Sequence, residues 1–164
     1  MTMAKRLIID LEKCRKCEAC RIRCSYFYHP FNDGILYLRE LAEFAVVCRK
    51  CELAPCENSC PTEALEKTGE GVLVRHNMRC VGCRTCCYAC PFGVILPDVI
   101  PYAVSRCDFC IGRLGEDEAP VCVGGCSEGA IEFAEYEPDP TKQSYAVGSH
   151  LIVHAVPWKK EEIV

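Results

Sequence analysis

The stretch from Cys80 to Pro91, "CVGCRTCCYACP", holds five cysteines in eleven residues, two of them adjacent, with a proline closing the run. Thiols packed this densely serve as disulfide partners or as metal ligands, and the rest of the chain decides between the two. There are 17 cysteines in 164 residues, a level that marks a disulfide scaffold or a metal protein. An odd count would leave a disulfide framework with one unpaired thiol. The start, "MTMAKRLIIDLEKC", offers no apolar signal region and no arginine pair, so it reads as cytoplasmic. In a reducing compartment, clustered cysteines are metal ligands before they are disulfides.

Length and charge narrow the class further. The chain is the size of one domain, or of two small ones that share metal centres for a core. No apolar run approaches a membrane span. The net charge of −4 gives none of the basic striping that nucleic-acid binding requires. Residues 1–113 carry 16 Lys and Arg against 13 Asp and Glu, and residues 114–164 carry 3 against 10. This acidic C-terminal part reads as a solvated tail, or as a face that steers a basic partner.

Sixteen of the cysteines fall into four groups of four, a repeat along the whole chain. They are Cys14, Cys17, Cys20 and Cys24; Cys48, Cys51, Cys56 and Cys60; Cys80, Cys83, Cys86 and Cys90; and Cys107, Cys110, Cys122 and Cys126. The first and third share the spacing C-x2-C-x2-C-x3-C. The second has two extra residues before its third cysteine, and the fourth has an eleven-residue spacer there. Three thiolates on one tight loop reach three irons of a [4Fe–4S] cube, and the fourth, carried away by the turning chain, ligates a different cube. Small residues between the ligands, Ala19, Gly82 and Ala89, let amides approach the cluster sulfurs. Zinc is the main alternative, but zinc ribbons are built from C-x2-C pairs and have no use for a third cysteine three residues on. Register with the first group makes Cys86 the third ligand and leaves Cys87 as a small buried hydrophobe or spare thiol.

Short strands are expected between the groups: a hairpin with strands near Ala64–Glu66 and Val72–Arg75, and further strands at "KRLIID", "CPFGVI", "CSEGAIEF" and "SHLIVHAV". Helical turns should follow each triplet, none of them long. The pattern as a whole resembles the four-cluster ferredoxin subunits of molybdenum and tungsten oxidoreductase complexes, typified by the iron–sulfur subunit of dimethyl sulfoxide reductase. It is also similar to the small polyferredoxins of tungsten aldehyde oxidoreductases, carbon monoxide dehydrogenases and hydrogenases. The likeness covers Cys14 to Cys126. It implies an α+β fold of tandem two-cluster ferredoxin units: an outer unit, residues 1–47 with 97–164, and an inserted inner unit, residues 48–96. It implies that the first and fourth groups exchange their last cysteines, as do the second and third. One cluster would then use Cys14, Cys17, Cys20 and Cys126, and another Cys107, Cys110, Cys122 and Cys24. The inner two would use Cys48, Cys51, Cys56 and Cys90, and Cys80, Cys83, Cys86 and Cys60. Two features depart from the family pattern. Ser25 and Ser127 stand where proline follows Cys60 and Cys90, so a different turn is expected there, and the chain lacks the long C-terminal extension of larger members.

Four [4Fe–4S] clusters in a row form a wire, so the expected function is single-electron transfer between a catalytic oxidoreductase subunit and a second redox protein. The resemblance points to a tungsten- or molybdenum-pterin enzyme, such as an aldehyde oxidoreductase, as catalytic partner. The alternatives are a freely diffusing polyferredoxin and a zinc-stabilised interaction module, and copies of the wire could also stack end to end. No catalytic constellation accompanies the cysteines: His29, His76, His150 and His154 are scattered, with structural or surface roles expected. Arg15, Lys16, Arg21, Arg23, Arg49, Lys50 and Arg84 lie in the ligand loops, where any near a cluster would raise its potential and the others would be surface charge. The aromatic run at 26–31 and Trp158 read as packing or interface.

Overall fold

The computed structural model describes residues 5–18, 20–24, 32–100 and 105–157. The expected N-terminal strand is β1 (Arg6–Asp10), in which Leu7 and Ile9 are almost wholly buried while their neighbours are half-buried, the period of two that a strand over a core demands. It runs antiparallel to β4 (Ile131–Ala134) and parallel to β6 (Leu151–His154), which pairs in turn with β5 (Ser144–Val147). The sheet order is β4-β1-β6-β5. The strands expected after Cys126 and near the C-terminus are therefore present. β5 is an addition that the sequence reading missed, anchored by the Ser144 hydroxyl, which accepts from the Asp139 amide at 2.8 Å.

The expected hairpin is a second, two-stranded sheet, β2 (Leu65–Lys67) with β3 (Leu73–Arg75), with Leu65 opposite Arg75. The strand expected at "CPFGVI" does not form. Val94 packs in one core and Ile95 in another, no strand pairs with the segment among the described residues, and Pro97 then opens a 3-10 turn at Pro97–Val99 because it has no N–H to give a ladder.

Four short helices are built into the cysteine groups rather than following them. Asp10 caps α1 (Leu11–Cys14), accepting from the amides of Glu12 and Lys13 at 3.0 Å each, as a good N-cap does. The helix ends on the first cysteine of its group. α3 (Pro55–Asn58), α4 (Thr85–Ala89) and α5 (Val121–Gly125) each carry the third cysteine of theirs. The longest element was not foreseen: α2 (Gly34–Ala42) continues directly into a π-helical turn, Glu43–Val47. Leu38, Ala42 and Val47 of this element join Leu7, Ile9 and Leu151 in a core beneath the larger sheet. Phe44 points instead into a second core with Leu65, Leu73, Ile95, Val99 and Ile100. Cysteines pack against both cores, among them Cys107, Cys122 and Cys126 on the first and Cys56, Cys60 and Cys80 on the second.

Candidate metal centres

The loops that carry the cysteines are shaped by left-handed backbone at corresponding positions. The residue before the second cysteine has positive φ in three groups: Lys50 (53°), Gly82 (66°) and Phe109 (56°). So does the residue three beyond the fourth cysteine in three groups: Glu63 (51°), Gly93 (64°) and Gly129 (59°). A side chain in this region carries a strain that a fold retains only where the surroundings over-determine it, and such residues collect at functional sites. The turn after the fourth cysteine is the same in all three groups. The amides of Glu63, Gly93 and Gly129 donate to the carbonyls of Cys60, Cys90 and Cys126 at 3.3, 3.2 and 3.2 Å. Ser127 therefore makes the turn that Pro61 and Pro91 make, contrary to the expectation of a different one; Ser25 lies outside the described residues. In two cases the turn aims the next amide at sulfur: Ala64 N–H meets Cys60 Sγ and Ala130 N–H meets Cys126 Sγ, both at 3.2 Å.

Two clefts gather thiols from separate parts of the chain. Cys48, Cys51, Cys56 and Cys90 line one, together with Leu73 and Ile95. Cys14, Cys17, Cys20 and Cys126 line a larger one together with Arg39 and Ile131. Thiols outside these clefts also have thiol neighbours. The thiols of Cys24, Cys122 and Cys110 act on Cys107, and those of Cys80 and Cys60 on Cys86. Cys86 is buried and Cys87 only partly so.

Burial pushes the thiols of Cys14 and Cys122 up to about 11 and those of Cys86 and Cys107 up to about 12, with neighbouring thiols adding to the effect. For Cys86 the foremost neighbour is the Cys87 thiol beside it. Such thiols are not free nucleophiles, because they reach the thiolate state only when a bound metal supplies the compensating charge. Elsewhere the fold lowers the thiol pKa instead. Thr85, through its hydroxyl and amide, lowers Cys83, its Oγ1 donating to Cys83 Sγ at 3.3 Å. Burial of Cys60 is outweighed by N–H donors from Thr62 and Ala64. Among the described residues no three His, Cys, Asp or Glu side chains converge on the point a single metal ion would occupy. Thiols ringing a cleft, with amides aimed at sulfur, suit a multi-iron cluster, whose ligands stand apart around a bulky core.

The basic residues of the ligand loops, Arg15, Lys16, Arg21, Arg23, Arg49, Lys50 and Arg84, are all exposed. The buried charges lie elsewhere and were missed. On α2, Arg39 donates to Asp98 at 2.9 Å and lies 3.8 Å from Glu43, while Glu40 pairs with Arg75 of β3 at 2.6 Å. Arg75 in turn hydrogen-bonds the Cys80 thiol. Their burial was not legible, because Arg39, Glu40 and Glu43 fall within about 100° of one another on a helix and read as an ordinary polar face. The histidines take structural roles where described. His76 pairs with Glu66 at 2.7 Å, His154 lies 3.2 Å from Asp10, and His150 sits against Phe109. His29, the aromatic run and Trp158 lie outside the described residues.

The profile of the 4Fe-4S dicluster domain family matches residues 39–136, which takes in the second, third and fourth cysteine groups. The chain belongs to that family. Its relatives include a subunit of the anaerobic dimethyl sulfoxide reductase of Escherichia coli, 28% identical over 152 residues, covering 81% of this chain and 74% of the relative. The subunit of the same name from Haemophilus influenzae is 26% identical over 153 residues, covering 81% and 75%. The ferredoxin-like protein YdhX of Escherichia coli is 30% identical over 152 residues, covering 85% and 68%. AegA of Escherichia coli is also 30% identical over 148 residues, but the chain spans only 22% of its length. Among the described residues no helix is long and apolar enough to cross a membrane.

Proposed function

We propose that this protein is a non-catalytic iron–sulfur subunit that carries single electrons along four [4Fe–4S] clusters, between a catalytic oxidoreductase subunit and a second redox protein. The observation that supports the reading is the lining of two clefts, Cys126 with Cys14, Cys17 and Cys20, and Cys90 with Cys48, Cys51 and Cys56, as an exchange of fourth cysteines would require. By the same pattern, Cys24 would complete the site of Cys107, Cys110 and Cys122, and Cys60 that of Cys80, Cys83 and Cys86. Cys87 is left outside the ligand set. Bound clusters would supply the one-electron chemistry. The protein's own part is to hold the thiolates, aim amides at sulfur and keep the inner sites dry between the two cores. The exchanged cysteines tie the sites into two pairs, an outer and an inner one. We assign residues 1–47 with 97–164 to an outer unit and 48–96 to an inner one, joined through the residues of α2 and its π turn.

The relatives named as parts of dimethyl sulfoxide reductase support a molybdenum- or tungsten-pterin enzyme as the catalytic partner. Anaerobic purification of the native protein through gel filtration tests this. The expected result is a stable complex with a second subunit and one of those metals in the same fraction. A lone monomer would contradict the subunit reading in favour of a freely diffusing polyferredoxin.

A further inference from the structure

Arg39 is a buried charge whose surroundings point to a ligand. Its side chain is 9% exposed, and it lines the cleft of Cys14, Cys17, Cys20 and Cys126. Two of its nitrogens are engaged: Nη1 donates to Asp98 Oδ2 at 2.9 Å, and Nη2 stands 3.8 Å from Glu43 Oε1. The third, Nε, is buried with no acceptor among the described residues. Of the groups that act on this guanidinium, the Cys14 thiol comes ahead of both carboxylates. A buried N–H without an acceptor is costly. That cost falls away when the cleft holds a group that is negative overall and presents sulfur acceptors.

The other cationic groups are placed differently. Those of the ligand loops are exposed, where solvent and salt screen them. Arg75, although it meets Cys80, is held by Glu40 through both Nε and Nη2, so its charge is matched before it reaches the sulfur. Arg39 alone among these combines burial, a cysteine-lined cleft and an unused donor.

We propose that Arg39 is the residue that sets the potential of the cluster held by Cys14, Cys17, Cys20 and Cys126. This rests on the cluster reading above. The fixed positive charge and the free Nε–H favour the reduced, more negative state, so this cluster has a higher potential than its four thiolates alone would give. Asp98 and Glu43 act as positioning residues that hold the guanidinium fork toward the cleft.

The test is a redox titration followed by electron paramagnetic resonance, on anaerobically purified full-length protein with iron and sulfide counted first. Wild type, Arg39→Gln and Arg39→Lys are compared, and the cluster in question is identified as the one missing from Cys14→Ala. The expected result is that one midpoint potential, that of the identified cluster, falls in Arg39→Gln while the others stay in place. Arg39→Lys, which keeps the charge but not the fork, should fall in between. Identical titrations of wild type and Arg39→Gln, or all midpoints moving together, would overturn the assignment. If Arg39→Gln loses the cluster, Arg39→Lys decides alone: a lowered single midpoint upholds the assignment and an unchanged one overturns it. Wild-type protein without iron would instead overturn the cluster reading itself.

Discussion

A methyl group added at Gly34 would stand 2.5 Å from the Cys24 sulfur and 3.2 Å from the Arg106 carbonyl oxygen, closer than atoms can approach without displacement. The first residue of α2 is thus glycine because a cysteine sulfur lies against it, and the Gly34 amide donates to that sulfur. If Cys24 is a cluster ligand, Gly34→Ala should remove one cluster, lowering iron by about four atoms per chain. Cys86→Ala should do the same, and Cys87→Ala should leave the iron content unchanged. An unchanged Gly34→Ala together with a depleted Cys87→Ala would refute both assignments. The candidate ligands were legible in the sequence because loop spacing limits which thiols can reach one cube. The choice of Cys86 over Cys87 came from register with Cys20. Gly34 was not legible, since its neighbour Cys24 is ten positions away and nothing local records the contact.

At the scale of elements, α2 and its π turn connect the cores to the metal sites. The turn closes when the Cys48 amide donates to the Glu43 carbonyl at 2.9 Å, so the π geometry delivers the first cysteine of the second group. Glu43 itself is 5% exposed, and burial pushes its carboxyl up from 4.5 to about 7, against the pull of Arg39 and with Asp98 adding to the rise. Below about 4.5 the group is neutral in folded and unfolded chains alike and burial carries no penalty; from about 4.5 to about 7 the unfolded chain ionises it while the folded chain resists, so stability falls over that interval and levels off above it. Thermal unfolding of the cluster-loaded protein between pH 5 and 7 should therefore show Glu43→Gln gaining on wild type as pH rises. A constant difference between the two would contradict this. The hairpin and the strands of the larger sheet were readable from alternation. β5 was not, and neither was α2, because α2 is a buried helix, apolar on most sides, whose charges are satisfied by β3 and the segment at Asp98.

Across the whole molecule, two modest cores and two small sheets surround the cysteine-lined clefts, and the thiols form part of the packing of each core. A chain of this size with so many partly buried thiols, several of them raised by burial, gains most from groups that convert them to bound thiolates. Family membership and the cysteine repeat agree here. The cysteine spacing could show the number of ligand groups but not which groups meet, because Cys126 shares a cleft with Cys14, more than a hundred residues away in the chain. Iron, acid-labile sulfide and zinc per chain, measured on anaerobically purified protein, test the central claim most directly. The account predicts about sixteen iron and about sixteen sulfide, four cubes of four each, with negligible zinc; zinc in place of iron, with no sulfide, would contradict it.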